Sequence, residues 1–103
     1  MIVRACSYNA TIQTPDDPNN YSQIKVTFAQ EGNIVVEKNK SALTIDSTDG
    51  TVTVHLTQEE TKLFDAAKMA LMQIRCFASA NDAPGSCVFG ITVCPALNDE
   101  VLS

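Results

Sequence analysis

The sequence predicts an all-β sandwich, and three observations support this fold class. Short segments alternate apolar with polar residues, which is the period of a half-buried strand. Clusters of Pro, Gly, Asn and Asp separate these segments at intervals of roughly ten residues, the spacing of strands and turns in sandwiches and small barrels. One acidic segment breaks the alternation, and a short helix there would carry the chain from one sheet to the other.

Four strands are predicted in the first half of the chain, before the strand that leads into the acidic segment. They cover about 7–13, Tyr21–Gln30, Ile34–Lys38 and Ala42–Asp46. The apolar residues of the second and fourth strands point inward, namely Ile24, Val26, Phe28, Leu43 and Ile45. The turns between the strands are TPDDPNN at 14–20, the Glu31-Gly32-Asn33 hairpin signal and the STDG segment that ends at Gly50.

A fifth strand at Thr51–Leu56 leads into the helical corner, which we expect at about residues 58–64. Thr57 and Glu60 have the spacing of a capping box, in which each side chain satisfies a backbone N–H that the helix start leaves unpaired. Glu59 and Glu60 also lie where the positive end of the helix dipole favours carboxylates. Leu63 and Phe64 are expected to fix the corner to the core.

A sixth strand at about 69–78 and a seventh at Ser86–Cys94 complete the sequence of elements. In the sixth strand, one face is fully apolar: Ala70, Met72, Ile74, Cys76 and Ala78. In the seventh, one face carries Cys87, Phe89, Ile91 and Val93. We interpret 1–103 as a single domain of about seven strands with a C-terminal tail at 96–103. A closed barrel is the alternative, and the helical corner favours an immunoglobulin-like β-sandwich.

Composition argues against two classes of partner. The 103 residues carry 7 basic and 12 acidic side chains, a net charge of −5, whereas phosphate backbones reward clustered Lys and Arg. There is no run of 18 apolar residues, so we expect no membrane span. The first residues lack the apolar segment of a signal peptide, so a cytosolic site of synthesis is the expectation.

The four cysteines, Cys6, Cys76, Cys87 and Cys94, form no CxxC pair and lie far from the single His55 in sequence. We therefore expect no metal site and no cofactor. Cys76 and Cys87 flank a turn and could be cross-strand neighbours, so a disulfide between them remains an alternative. Buried thiols acting as small apolar groups are the favoured interpretation for a protein made in the cytosol.

Residues with catalytic potential are present, but no catalytic arrangement can be named. His55 lies on the polar face of its strand near Asp46 and Asp49, without an evident nucleophile. Glu59 and Glu60 resemble a carboxylate pair, yet the helix cap already accounts for them. The oxygens of the 14–20 cluster lack calcium-loop spacing and fit a turn. We expect a protein that is not an enzyme.

Three segments carry a resemblance to a known family: VTFAQEGNIVVEKNK, VTVHLTQEETKLF, and MQIRC followed by PALNDEVLS. They resemble small proteins from the tail and baseplate region of prophages of Gram-positive gut bacteria. They are also similar to the N-terminal β-sandwich domain of phage upper-baseplate proteins. Such proteins dock onto the tail, and those with a following coiled coil or receptor-binding region are longer than this chain.

The resemblance implies a non-enzymatic phage structural protein that is made in the bacterial cytoplasm and is located in the virion as a tail or baseplate component or adaptor. Its partners would be other tail or baseplate proteins, with a homo-oligomer as a further expectation, and neither nucleic acid nor membrane. The residues expected at the interface are Leu71, Phe77, Leu97, Val101 and Leu102. The alternative function is a carbohydrate-binding or adhesion module, for which Tyr8 and Tyr21 are the surface aromatic candidates.

Overall fold

The fold is built almost entirely from β-strands, as the sequence predicts. The computed structural model describes residues 1–14, 17–77 and 85–95, and only the backbone of 85–87. The strands are β1 (Ile2–Val3), β2 (Tyr8–Gln13), β3 (Gln23–Gln30), β4 (Asn33–Asn39), β5 (Thr44–Asp46), β6 (Thr51–Leu56), β7 (Ala70–Phe77), β8 (Gly85–Ile91) and β9 (Val93–Cys94). A single-turn helix α1 (Gln58–Thr61) and two 3₁₀ turns (Pro18–Asn20 and Lys40–Ala42) complete the described elements.

Two antiparallel sheets form the sandwich. One has the strand order β2-β6-β5, and the other has the order β4-β3-β7-β8. These orders correspond to strands B, E, D and C′, C, F, G of an immunoglobulin domain. The chain crosses between the sheets at α1, so the predicted immunoglobulin-like sandwich with a helical corner is confirmed.

The core lies between the sheets and is formed by alternate residues of the strands. The inward faces of β3 and β7 carry Ile24, Val26, Phe28, Ala70, Met72, Ile74 and Cys76, all of them buried. Val52, Val54 and Leu56 of β6 cover them from the other sheet. Leu43 and Ile45 pack against this cluster while partly exposed. The face assignments predicted from the two-residue period are therefore correct for these strands.

The helical corner begins with the predicted capping box. Thr57 Oγ1 accepts a hydrogen bond from the Glu60 N–H at 3.2 Å, and Glu60 Oε1 accepts one from the Thr57 N–H at 2.9 Å. Phe64 anchors the corner, because its ring packs edge to face on Phe28 with centroids 6.0 Å apart. The same expectation for Leu63 is wrong, since Leu63 faces solvent.

A buried glutamine fixes the segment that follows the corner. Gln30 is only 6% exposed, and its Nε2 donates to the carbonyl oxygens of Asp65 at 2.8 Å and Lys68 at 3.0 Å. Its Oε1 accepts from the Asp65 N–H at 2.8 Å. The end of β3 is thereby joined to the 65–68 loop.

Several boundaries differ from the prediction for local reasons. The second strand begins at Gln23 instead of Tyr21, and Lys40–Ala42 forms a 3₁₀ turn where the fourth strand was expected to start. The seventh strand is interrupted at Thr92, after which β9 pairs in parallel with β1. That parallel pair was not predicted, because two-residue strands leave no detectable alternation.

The backbone register of β7 and β8 shows how Cys76 and Cys87, the predicted cross-strand neighbours, are placed. Cys76 lies opposite Gly85, whereas Cys87 lies opposite Ile74. The two cysteines are thus diagonal across β7 and β8 rather than directly paired. Cys76 is buried, as expected of an apolar thiol, while Cys6 is exposed. The C-terminal tail at 96–103 lies outside the described residues.

Candidate protein-interaction surface

The outer face of the four-stranded sheet carries an exposed apolar row. The register aligns Ile34 of β4 with Ala29 of β3, Ala29 with Leu71 of β7, and Leu71 with Gly90 of β8. Directly opposed residues on neighbouring strands share one face of a sheet. This row crosses all four strands, and its two large side chains are in solvent: Ile34 is 65% exposed and Leu71 is 47% exposed.

Two further apolar side chains extend this row. Val88 lies opposite Gln73, in the next row of the same face, and is 58% exposed. Met69 precedes β7 and is 62% exposed. A β-carbon placed on Gly90 would lie 3.3 Å from Met69 Sδ, so the Met69 side chain lies over Gly90. We call Ala29, Ile34, Met69, Leu71 and Val88 the outer apolar patch.

The part of this face that borders the patch along β3, β4 and β7 is polar. Thr27 Oγ1 donates to Glu37 Oε2 at 3.1 Å, and Lys25 Nζ lies 3.6 Å from Glu37 Oε1. Lys25 also lies opposite Arg75 in the ladder of β3 and β7. An apolar centre beside a polar rim is the usual anatomy of a protein–protein interface.

The structure separates the residues that the sequence nominated as an interface. Leu71 is in the outer apolar patch, whereas Phe77 lies six residues further along the same strand, about 20 Å away at about 3.3 Å per residue, and is half-buried. Leu97, Val101 and Leu102 lie outside the described residues. Of the two predicted interface residues that the structure describes, Leu71 belongs to the outer apolar patch and Phe77 does not.

Sequence reasoning missed Ile34, Met69 and Val88. Ile34-Val35-Val36 and Val88-Phe89 are consecutive apolar residues within strands. Because successive side chains point to opposite faces, such runs require that at least one apolar side chain faces outward. In the pairing of β3 with β4, Phe28 lies opposite Val36 and Ala29 lies opposite Ile34, so the register shifts at Val35. This irregularity places Ile34 on the outer face with Ala29.

The residues with catalytic potential have other contacts. His55 Nδ1 lies 2.6 Å from Asn9 Oδ1 in an exposed cross-strand pair. Asp46 Oδ1 accepts from the backbone N–H groups of Thr48 and Asp49 in the β5–β6 turn. Among residues 1–14, 17–77 and 85–95, no three His, Cys, Asp or Glu side chains are grouped so that they could hold a metal ion.

Glu60 is also held by an ion pair. Lys38 Nζ lies 2.6 Å from Glu60 Oε2. Partial burial disfavours the ionised carboxylate, but the hydrogen bonds from Lys38 and the Thr57 N–H and the charge of Lys38 outweigh it, so the pKa of Glu60 is lowered. These contacts give the carboxylate a structural role in α1.

The two tyrosines differ in their exposure. Tyr21 is buried in the core, so its ring is not available for stacking on a sugar. Tyr8 is half-buried, and burial raises the pKa of its hydroxyl. In the part of the chain covered by the structure, no helix has the length and apolar character needed to cross a bilayer.

Comparisons with known proteins support the fold alone. No family model and no curated protein matches the sequence. Among solved structures, the immunoglobulin-like domain of mouse leukocyte-associated immunoglobulin-like receptor 1, a strand-swapped dimer, is similar with a TM-score of 0.52 and 11% identity. The match covers 90% of this chain and 84% of the receptor chain. A strand-swapped dimer of that receptor's extracellular domain has a TM-score of 0.50, with 11% identity and the same coverage.

Proposed function

We propose that this chain is a non-enzymatic structural protein of a bacteriophage tail or baseplate and that it works by protein–protein assembly. The outer apolar patch is the observation that carries this proposal. Ile34, Leu71 and Val88 are exposed on three strands of the four-stranded sheet. A contiguous apolar area with a polar rim is typical of a surface that another protein covers. The virion is the proposed location.

The phage context of the proposal rests on the resemblance of three segments. The LTQEET corner forms the cap of α1, and the MQIR segment is the centre of β7 next to Leu71. The Gln30–Gly32 hairpin ends beside Ile34. The MQIR strand and the hairpin therefore lie beside the patch, whereas the LTQEET corner lies at the crossing between the sheets. The proposed partners are other tail or baseplate proteins, with a second copy of the chain as a further candidate.

If the outer apolar patch is the assembly surface, charged substitutions within it should prevent incorporation of this chain into the phage particle. The double substitution L71K/V88K places two charges in the patch while leaving the core untouched, because both side chains are exposed. L63K is the matched control, since Leu63 is similarly exposed but lies in the turn after α1 and is not a member of the outer apolar patch. Each version would replace the native gene in the bacterium that encodes it, and particles would be purified on a density gradient.

Mass spectrometry of the purified particles would compare the amount of this chain with that of a major tail protein. We expect the ratio of this chain to the major tail protein to be the same for the wild type and L63K. For L71K/V88K we expect that ratio to be at least tenfold lower. Thermal unfolding of the purified variants checks that all three fold. Absence of the wild-type chain from the particles, or incorporation of L71K/V88K at the wild-type ratio, would refute the proposal.

A further inference from the structure

The sandwich is incompletely closed along one side, between β2 and β8. In the described part of the chain these are the end strands of their sheets. A cleft of about 730 Å³ lies between them. Its apolar lining comes from both sheets and includes Tyr8, Ala10, Ile12, Met72, Phe89 and Ile91. Among the residues that the structure describes, no Asp, Glu, Lys, Arg or His side chain lines it.

Phe89 shows that the core is exposed at this cleft. The register places Phe89 opposite Met72 and Ile91 opposite Ala70, and these three neighbours are all buried. Phe89 thus shares the core-facing side of the sheet, yet it is 43% exposed. A core-facing aromatic ring left in solvent indicates that one more element is needed to cover this side.

The backbone of β2 specifies what kind of element fits. The Thr14 N–H donates to the carbonyl of Gly50, the residue directly opposite in the ladder, at 2.9 Å. In an antiparallel pair, hydrogen-bonded and non-hydrogen-bonded residues alternate. Ile12, Ala10 and Tyr8 therefore bond to β6, while the backbone groups of Gln13, Thr11 and Asn9 point away from it.

The cross-strand side chains confirm this alternation. Thr11 Oγ1 lies 2.9 Å from Thr53 Oγ1, and the Asn9–His55 pair is at 2.6 Å. Such close side-chain approach is characteristic of the non-hydrogen-bonded positions. The edge of β2 accordingly offers the N–H and C=O groups of alternate residues to an incoming strand, within the part of the chain described.

We propose that β2 accepts an extended segment of another protein as an additional strand of its sheet. The segment would be uncharged over about six residues, with an apolar side chain at every second position. Its backbone would bond to Asn9, Thr11 and Gln13, and its apolar side chains would enter the cleft and cover Phe89. This site is separate from the outer apolar patch.

A synthetic peptide tests the proposal directly. The probe is fluorescein-labelled KTVTVTVK, which repeats the alternation of β6, the strand that β2 already pairs with. Its control is a peptide of the same composition with the three valines in succession. We expect saturable binding by fluorescence anisotropy, with at least tenfold weaker binding of the control, and slower amide exchange at Asn9, Thr11 and Gln13.

Proline at position 11 provides the decisive variant. T11P removes an N–H that points outward, which an edge strand tolerates, and leaves the bonds to β6 intact. T11A is the matched control, because it also loses the contact with Thr53 but keeps the N–H. We expect T11P to weaken peptide binding at least tenfold, T11A to change it less than threefold, and L71K/V88K to leave it unchanged.

Three results would overturn the proposal. They are no binding of KTVTVTVK to the wild type, equal binding to folded T11P, and a wild-type dimer that T11P converts to a monomer by light scattering. The last result would assign the edge to a second copy of this chain instead of a foreign strand. L71K/V88K is measured in the same peptide-binding assay. Failure of the proposal for β2 can therefore be distinguished from failure of the proposal that the outer apolar patch mediates assembly.

Discussion

At the scale of single residues, Gln30 shows how one side chain can organise a loop. Its amide group satisfies both the N–H and the C=O of Asp65 and the C=O of Lys68. These backbone groups belong to a segment without regular secondary structure, in which the Asp65 carbonyl also accepts from the Lys68 N–H at 3.2 Å. The Asp65 N–H and the Lys68 carbonyl are bonded by the Gln30 side chain. Lys68 also forms an exposed ion pair with Glu31, the residue after Gln30, with Lys68 Nζ 3.0 Å from Glu31 Oε2.

We predict that Q30A destabilises the protein by about 2–3 kcal/mol, because it removes three partly buried hydrogen bonds that join β3 to the 65–68 loop. Urea denaturation followed by circular dichroism would measure the free energy of unfolding. Q23A is the control, since Gln23 is exposed on the same strand, and it should change stability by less than about 0.5 kcal/mol. Equal effects of the two substitutions would contradict the role assigned to Gln30.

Sequence reasoning could identify the capping residues but not Gln30. Thr57 and Glu60 interact within one turn, so their spacing alone identifies the contact. Gln30 and Asp65 are separated by 35 positions, and no local pattern reports a contact over that distance. A glutamine at an inward position of β3 was the available signal, because a buried polar side chain requires a partner.

At the scale of elements, α1 depends on the ionised form of Glu60. The lowered pKa means that the folded state favours the carboxylate. Its stabilising contribution is therefore complete above the ordinary value of about 4.5 and is lost as the pH falls through the lower pKa of the folded state.

We predict that E60Q lowers the free energy of unfolding by about 0.5–1 kcal/mol at pH 7, because the amide retains the cap geometry but loses the charge interactions with Lys38 and the helix dipole. The difference in stability between the two proteins should be smaller at pH 3 than at pH 7. Urea titrations at both pH values measure this difference, and E59Q on the same turn is the control, with a smaller expected loss. An E60Q deficit that is unchanged between pH 7 and pH 3 would refute the argument.

Most elements were predictable because their alternation is long enough to detect. β3, β6 and β7 each show several repeats of the two-residue period, and their buried faces were assigned correctly. The Glu31-Gly32 hairpin was also predictable, and both residues have positive φ, 50° and 81°. The β1–β9 pair and the break at Thr92 depend on contacts between the two ends of the described chain, which local periodicity does not contain.

At the scale of the whole molecule, the two sheets present different surfaces to partners. The four-stranded sheet has the outer apolar patch on its solvent face, and the three-stranded sheet ends at β2 among the strands that the structure describes. Leu71 was the only patch residue nominated from the sequence. The remaining members required the register of four strands, because a surface cluster is assembled from residues that are distant in sequence.

The proposal that the outer apolar patch is the assembly surface is tested most directly by hydroxyl-radical footprinting. Met69 in the patch and Met1 outside it are similarly exposed, at 62% and 70%, whereas Met72 is buried, so the chain contains its own references. Mass spectrometry would compare oxidation in the free protein and in the assembled particle. We predict that assembly slows oxidation of Met69 and Leu71 at least fivefold while Leu63 is unchanged. Equal oxidation of Met69 and Leu71 in both states would contradict the account, and protection of Met1 alone would place the contact at the β2–β8 cleft.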